Sequence, residues 1–249
     1  MKISFKSLLA GTALGLGLSA SYAAPVTVGG VTWNPDAPTD FSGQTVNMRQ
    51  FINAQTGELT GFGVLTAING RTDFCAAANC EVTFQFSGFM PVGQSVVPGV
   101  GDTITYNGGS VRFYVGAAEI TNAADYNSLT WANTGNGELW LDLANTANFL
   151  GSNVGGTLSG LGYLDVVGGL AATYFNTDSQ TYQGVDHDFR FTASLSFPHQ
   201  GGNSDVTDMS GTANLFGDSA APVPEPGVLA LMGVGMLGVG ALRRRQSKK

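Results

Sequence analysis

Phe189-Arg190-Phe191-Thr192-Ala193-Ser194-Leu195-Ser196-Phe197 alternates with a period of two. Successive side chains of a strand point to opposite faces, so Phe189, Phe191, Ala193, Leu195 and Phe197 share one side. Arg190, Thr192, Ser194 and Ser196 take the other, which makes this a strand with one buried and one wet face. Working outward, the same rhythm appears in Glu81–Phe86 (EVTFQF), Ser110–Val115 (SVRFYV) and Glu138–Leu143 (ELWLDL). Weaker versions occupy Val46–Ile52, Gly61–Ile68, Thr103–Tyr106, Tyr163–Val167, Thr173–Phe175 and Thr212–Phe216. Turns rich in Gly, Asn and Asp separate them. Asn107-Gly108-Gly109 reads as a hairpin turn, because Asn-Gly readily takes positive φ. Only Ala117–Leu129 and Ala144–Leu150 look able to form a helical turn. Short strands at roughly ten-residue spacing predict an all-β fold, an antiparallel β-sandwich or jelly-roll over residues 24–219.

The composition fits an extracellular β-protein. Charged residues are 12% of the 249-residue chain and glycine contributes 36 residues, against a usual charged share of about 25%. Both N-terminal lysines (Lys2, Lys6) and all the C-terminal basic residues (Arg243, Arg244, Arg245, Lys248, Lys249) lie at the ends. Between them only Arg49, Arg71, Arg112 and Arg190 face all 18 acidic residues, a formal net of −14. Such a surface repels phosphate backbones, which excludes a nucleic-acid partner.

Residues 1–23 have the three parts of a signal peptide: Lys2 and Lys6, an apolar run from Leu8 to Leu18, and small residues before a cleavage between Ala23 and Ala24. At the other end, residues 220–249 comprise a proline-rich linker, Val223-Pro224-Glu225-Pro226, an uncharged stretch from Gly227 to Leu242, and a basic tail from Arg243. As a helix those sixteen apolar residues rise about 24 Å, short of a roughly 30 Å hydrocarbon core. Snorkelling arginines cover part of the gap, and they hold the acidic domain on the far side of the membrane. The ends therefore predict a signal helix and a single transmembrane helix flanking the β-domain.

The order Pro-Glu-Pro, short glycine-rich span, arginine cluster resembles the PEP-CTERM sorting signal of Gram-negative bacteria. The resemblance implies two processing partners, a signal peptidase and an exosortase-type membrane protease that recognises the tail. It also implies transient residence in the inner membrane, then delivery to the cell surface or an extracellular matrix of exopolysaccharide, as in biofilms and flocs. A plain single-pass anchor is the other reading of the same residues.

Cys75 and Cys80 are the only cysteines. A zinc site would need two further ligands nearby, and His187 and His199 are remote in sequence. In an exported chain the pair reads as a small-loop disulfide before the EVTFQF strand, with free thiols as the alternative. Cys80-Glu81-Val82-Thr83-Phe84 and the later Tyr163-Leu164-Asp165-Val166 also resemble a subset of PEP-CTERM ectodomains, which supports the architecture without supplying an activity.

No catalytic residue, metal ligand set or cofactor is expected. There is no Gly-x-Ser-x-Gly elbow, and Asp186-His187-Asp188 reads as a solvated loop end before the strand at Phe189. Asp178, Asp186, Asp188, Asp205 and Asp208 are the residues that would gather around a hard cation. Trp33, Trp131 and Trp140 are the residues able to stack on a sugar ring; Trp140 alternates with Leu139 and Leu141 in a strand and fits either role, while Trp131 lies in a polar loop and is the better candidate platform. Packing of all three in the core is the plainer reading. The functional expectation is a non-catalytic surface or matrix protein, structural or adhesive toward exopolysaccharide. The alternatives are a carbohydrate-binding module or a secreted hydrolase, the latter requiring a concave site with a perturbed carboxylate pair.

Overall fold

The alternating segments pair into strands whose order around the sheet follows the chain. The computed structural model describes residues 24–35, 40–75, 80–93, 100–120, 125–196 and 206–220, and the fold is that of the unit Pro25–Ala221. A short hairpin, β1 (Val26–Val28) and β2 (Val31–Trp33), comes first. Then come β3 (Phe41–Asn53), β4 (Leu59–Val64), the two-residue β5 (Ala67–Ile68), β6 (Cys80–Pro91), β7 (Thr103–Asn107) and β8 (Ser110–Ala117). After the helical turn α1 (Trp131–Thr134) follow β9 (Glu138–Asn145), β10 (Phe149–Val154) and β11 (Thr157–Gly168). A second turn, α2 (Ala172–Phe175), precedes a small hairpin of β12 (Gln180–Tyr182) and β13 (Val185–His187), and β14 (Phe189–Ser196) and β15 (Val206–Gly217) end the fold.

Each main strand is antiparallel to the next, and β15 returns to pair with β3 along its length, from Val206↔Asn53 to Gly217↔Phe41. The result is one closed up-and-down barrel. The all-β, antiparallel expectation holds, whereas the two-sheet sandwich or jelly-roll does not describe this strand order. The expected signal helix and transmembrane helix lie outside the described residues.

Two staves of the barrel are interrupted. Ser87↔Ser110 on β8 and Met90↔Asn107 on β7 keep one register along β6. Asn107-Gly108-Gly109 therefore carries the chain straight on instead of reversing it, and no hairpin forms there. Positive φ at Gly88 (+79°), Gly108 (+65°) and Gly109 (+89°) absorbs the irregularity, as glycine allows. In the same way β9 and β10 make one stave, pairing with β8 at Ser110↔Ala144 and with β7 at Tyr106↔Phe149. The helical turn expected at Ala144–Leu150 is this strand junction, and the strand expected at Thr173–Phe175 is the helical turn α2.

An eight-stranded barrel is just wide enough for side chains to fill, and here they do. Leu59, Phe84, Phe86, Phe89, Phe113, Leu141, Phe149, Phe191 and Leu195 belong to one buried cluster. Glycines make room for the rings. A β-carbon on Gly61 would stand 2.3 Å from Phe86, one on Gly63 2.5 Å from Phe84, and one on Gly162 2.4 Å from Phe149. Among the described residues, voids of about 20 and 10 Å³ lie beside Gln50 and Leu59, the larger about the size of one water.

One end of the barrel is stoppered. Trp33, Phe41, Trp140, Phe175 and Phe189 form a ring cluster, with Phe41 and Phe175 centroids 4.8 Å apart and Trp33 stacked on Phe175 at 4.9 Å. Both buried indoles satisfy their N–H: Trp33 Nε1 donates to Ser219 Oγ (2.9 Å) and Trp140 Nε1 to the carbonyl of Val28 (3.0 Å). The Cys75–Cys80 disulfide closes the segment leading into β6, and Thr32 N donates to Phe74 O nearby (2.6 Å).

Candidate functional site

Two strands that flank β4, β6 and β3, send polar side chains outward to hold the segment between β8 and β9 against the barrel wall. From β6, Glu81 accepts from Ile120 N (3.1 Å), and Gln85 Nε2 donates to the carbonyl of Trp131 (2.6 Å). From β3, Arg49 Nη1 reaches the carbonyl of Leu129 (3.4 Å) while Nη2 pairs with Asp208 on β15 (2.7 Å). Each grip satisfies a backbone group that the overlying loop would otherwise bury unpaired. Beneath it Phe62, Val64 and Leu129 form a small buried cluster of their own, outside the barrel core.

The loop presents Trp131 on a stiff support. Thr130 and Asn133 make reciprocal capping bonds around α1, and Asn133 Nδ2 also donates to Ser128 O (2.8 Å), the arrangement of a capping box. Gly135 lies so close that a β-carbon there would stand 2.5 Å from the Gln85 amide. Trp131 is 44% exposed and meets Phe62 edge-on at 5.2 Å. Phe51 and Phe62 both lie under the Arg49 guanidinium, at 5.2 and 5.6 Å. Trp131, Phe62, Phe51, Thr60, Thr130 and Arg49 thus line an open groove of about 450 Å³. Trp33 and Trp140 are buried, so the reading that all three tryptophans pack in the core fails at Trp131 alone. Trp131 is conspicuous in the sequence but its neighbours are not, since Arg49, Phe51 and Phe62 come together only through the pairing of β3 with β4 (Arg49↔Phe62).

Burial pushes the Glu81 carboxyl above its ordinary range, opposed by the backbone N–H groups of Glu119 and Ile120. Burial also raises the Tyr106 phenol, inside the barrel, to about 12. On the surface, the Arg71 guanidinium beside Asp73 lowers that carboxyl.

The Asp186-His187-Asp188 stretch is not a solvated loop end. Asp186 is exposed, but His187 and Asp188 are each only 2% exposed. The chain breaks between β13 and β14 at Asp188, so the simple alternation across the stretch is lost. The Asp188 carboxylate accepts from the backbone N–H of Val166 (2.8 Å), Thr177 (2.6 Å) and Asp178 (2.8 Å). His187 Nδ1 meets Asp165 Oδ1 at 3.1 Å and Thr146 Oγ1 at 3.2 Å, and Thr146 also donates to Asp165. Both partners sit on the same ring nitrogen. Thr146 is therefore not placed as a nucleophile whose proton His187 Nε2 would take, the arrangement a hydrolytic triad uses.

Among the described residues no group of three or more His, Cys, Asp or Glu side chains converges in the manner of a metal site. Of the five aspartates singled out for a cation, Asp188 is held by backbone, Asp208 pairs with Arg49, and Asp205 lies outside the described residues. His199, Ala23, the sorting residues Val223–Pro226, the apolar stretch 227–242 and Arg243–Arg245 also lie outside them, while Ala24 is exposed. No described helix is long and apolar enough to cross a membrane.

Comparison with known families places a PEP-CTERM protein-sorting motif at residues 222–245. The chain thus carries the sorting signal that its tail resembles, which indicates export and handling by an exosortase-type system. No curated protein and no solved structure matches the chain.

Proposed function

We propose that this is a non-catalytic cell-surface protein, delivered by an exosortase-type system, whose barrel holds extracellular polysaccharide in the groove around Trp131. The observation that carries the delivery half is the sorting motif at residues 222–245. Support for the binding half comes from the groove. A sugar's C–H face packs against an indole or phenyl face, and the exposed Trp131 with Phe51 and Phe62 supplies such rings. Arg49 and Asp208 flank them with charged hydrogen-bonding groups. An open groove accepts a chain from either side, which suits a polymer better than a small metabolite.

Two measurements test the two halves separately. Intact mass of protein from surface and medium fractions of the host tests processing: Ala24 to somewhere near Pro224 is expected. A mass that retains residues 227–249 makes the tail a permanent anchor and sinks the sorting reading. Co-sedimentation with polysaccharide purified from the host tests binding. Wild type should sediment and Trp131→Ala should stay in the supernatant; equal retention of both removes the groove from the account.

A further inference from the structure

A second recess lies on the barrel's outer surface beside the β12–β13 hairpin, separate from the Trp131 groove. It has a volume of about 400 Å³ and is lined by Asn107, Asn145, Asn148, Tyr182, Gln183 and His187, among others. That volume falls within the roughly 300–1,000 Å³ of small-molecule sites.

Its lining combines amides, hydroxyls and one imidazole with the apolar side chains of Ala147 and Val185. The Asp165 carboxylate accepts from Nδ1–H of His187 (3.1 Å), which fixes the neutral ring as the tautomer with a bare, accepting Nε2. No described side chain bonds that nitrogen. Asn145, 8% exposed, donates through Nδ2 to the carbonyl of Gly108 (2.8 Å), and its Oδ1 has no partner. A buried amide oxygen left unmatched is unusual in a native fold and calls for an explanation. Tyr182 stacks on Tyr163 at 4.5 Å, nearly parallel, which sets one aromatic wall. Asn148 and Gln183 are exposed at the rim.

We propose that this recess binds a neutral, hydroxyl-rich ring, a pyranose, either free or at the end of a polysaccharide. Hydroxyls both donate and accept, so they match a set that mixes accepting Nε2 and amide oxygens with donating amide N–H groups. No Lys or Arg lines the recess and Asp165 stands behind it, which disfavours anions. A wholly apolar ligand would leave the amides and the imidazole unmatched, whereas Val185, Ala147 and the Tyr182 ring can meet the C–H face of a pyranose.

The test is calorimetric titration of protein recovered from the host with D-glucose, D-galactose and D-mannose, their linear oligomers, and D-glucuronate as the charged control. At least one neutral sugar should bind. Tyr182→Ala and Asn148→Ala, neither at a buried position, should each weaken it about fivefold, and Trp131→Ala should leave it unchanged. Equal affinity for monomer and oligomer identifies a free sugar as the ligand, and tighter binding of the oligomer a chain end. Heat absent for every neutral sugar, binding indifferent to both variants, or glucuronate binding as tightly as its neutral counterpart overturns the proposal. The Trp131→Ala titration separates this result from failure of the groove reading.

Discussion

The inside of the barrel and the loop strapped to its outside are held by different forces. Inside, rings lodge over glycines and the contacts are mostly apolar, with Gln50 and the Tyr106 phenol as polar exceptions. Outside, Arg49, Glu81 and Gln85 hold the Trp131 segment mainly through side-chain to backbone hydrogen bonds. Burying a large apolar side chain contributes roughly 1.5–3 kcal/mol, whereas a single hydrogen bond nets about 1 kcal/mol. Stability therefore resides in the interior, and the exterior can be altered at Trp131 without dissolving the fold.

The largest expected effect tests the interior. Gly61→Ala places a β-carbon 2.2 Å from the carbonyl of Arg49 and 2.3 Å from Phe86. Neither a backbone atom nor a ring packed on its neighbours gives way easily, so a loss near 3 kcal/mol is expected in urea unfolding, the upper end for overpacking. A loss below 0.5 kcal/mol, within what surface substitutions cost, would mean that the rings are not tightly seated.

Next is the disulfide at the stoppered end. Paired Cys75→Ser and Cys80→Ser should cost about 2–3 kcal/mol through loop entropy, read in the same assay against reduced and oxidised wild type. Smaller again is Glu81. Its carboxyl is raised by burial, so the folded state binds the proton more tightly than the unfolded chain. The stability this contributes is present below the unfolded value near 4.3 and is lost as pH rises through the folded one. Glu81→Gln keeps an acceptor for Ile120 N without the charge. It should stabilise the protein at neutral pH by less than about 1 kcal/mol, with the advantage vanishing in acid. A gain that persists unchanged at pH 3 would place its origin elsewhere. Smallest for stability is Trp131→Ala, where a shift under about 1 kcal/mol by thermal unfolding would sharpen the contrast.

The sequence announced the strands and hid their closure. FRFTASLSF is legible because its alternation is local. By contrast, β3 and β15 meet across the whole domain, and no local pattern distinguishes a sheet that closes on itself from two that face each other. Glycine misled in two ways. Asn107-Gly108-Gly109 has the chemistry of a turn, yet β6 pairs with the residues on both sides of it and holds the chain straight. Gly61 and Gly63 weaken the strand signal of β4, although their smallness is what admits Phe86 and Phe84. The Trp131 platform was readable because a large aromatic in a polar loop is conspicuous. Asp165, Thr146 and His187 were not, since β11, β13 and the turn after β9 bring them together from distant parts of the chain.

The seam between β3 and β15 also sets a timetable. A chain threaded through a membrane channel emerges from its N-terminal side, and Phe41–Asn53 arrives long before Val206–Gly217. Until that last strand appears the first lacks one neighbour, and contacts so distant in sequence form slowly. The ectodomain thus completes its fold only after nearly all of it has been delivered, with the sorting motif at residues 222–245 following directly behind. Closure of the ring and arrival of the address label fall at almost the same moment, and a chain truncated before β15 would reach the far side with two open edges.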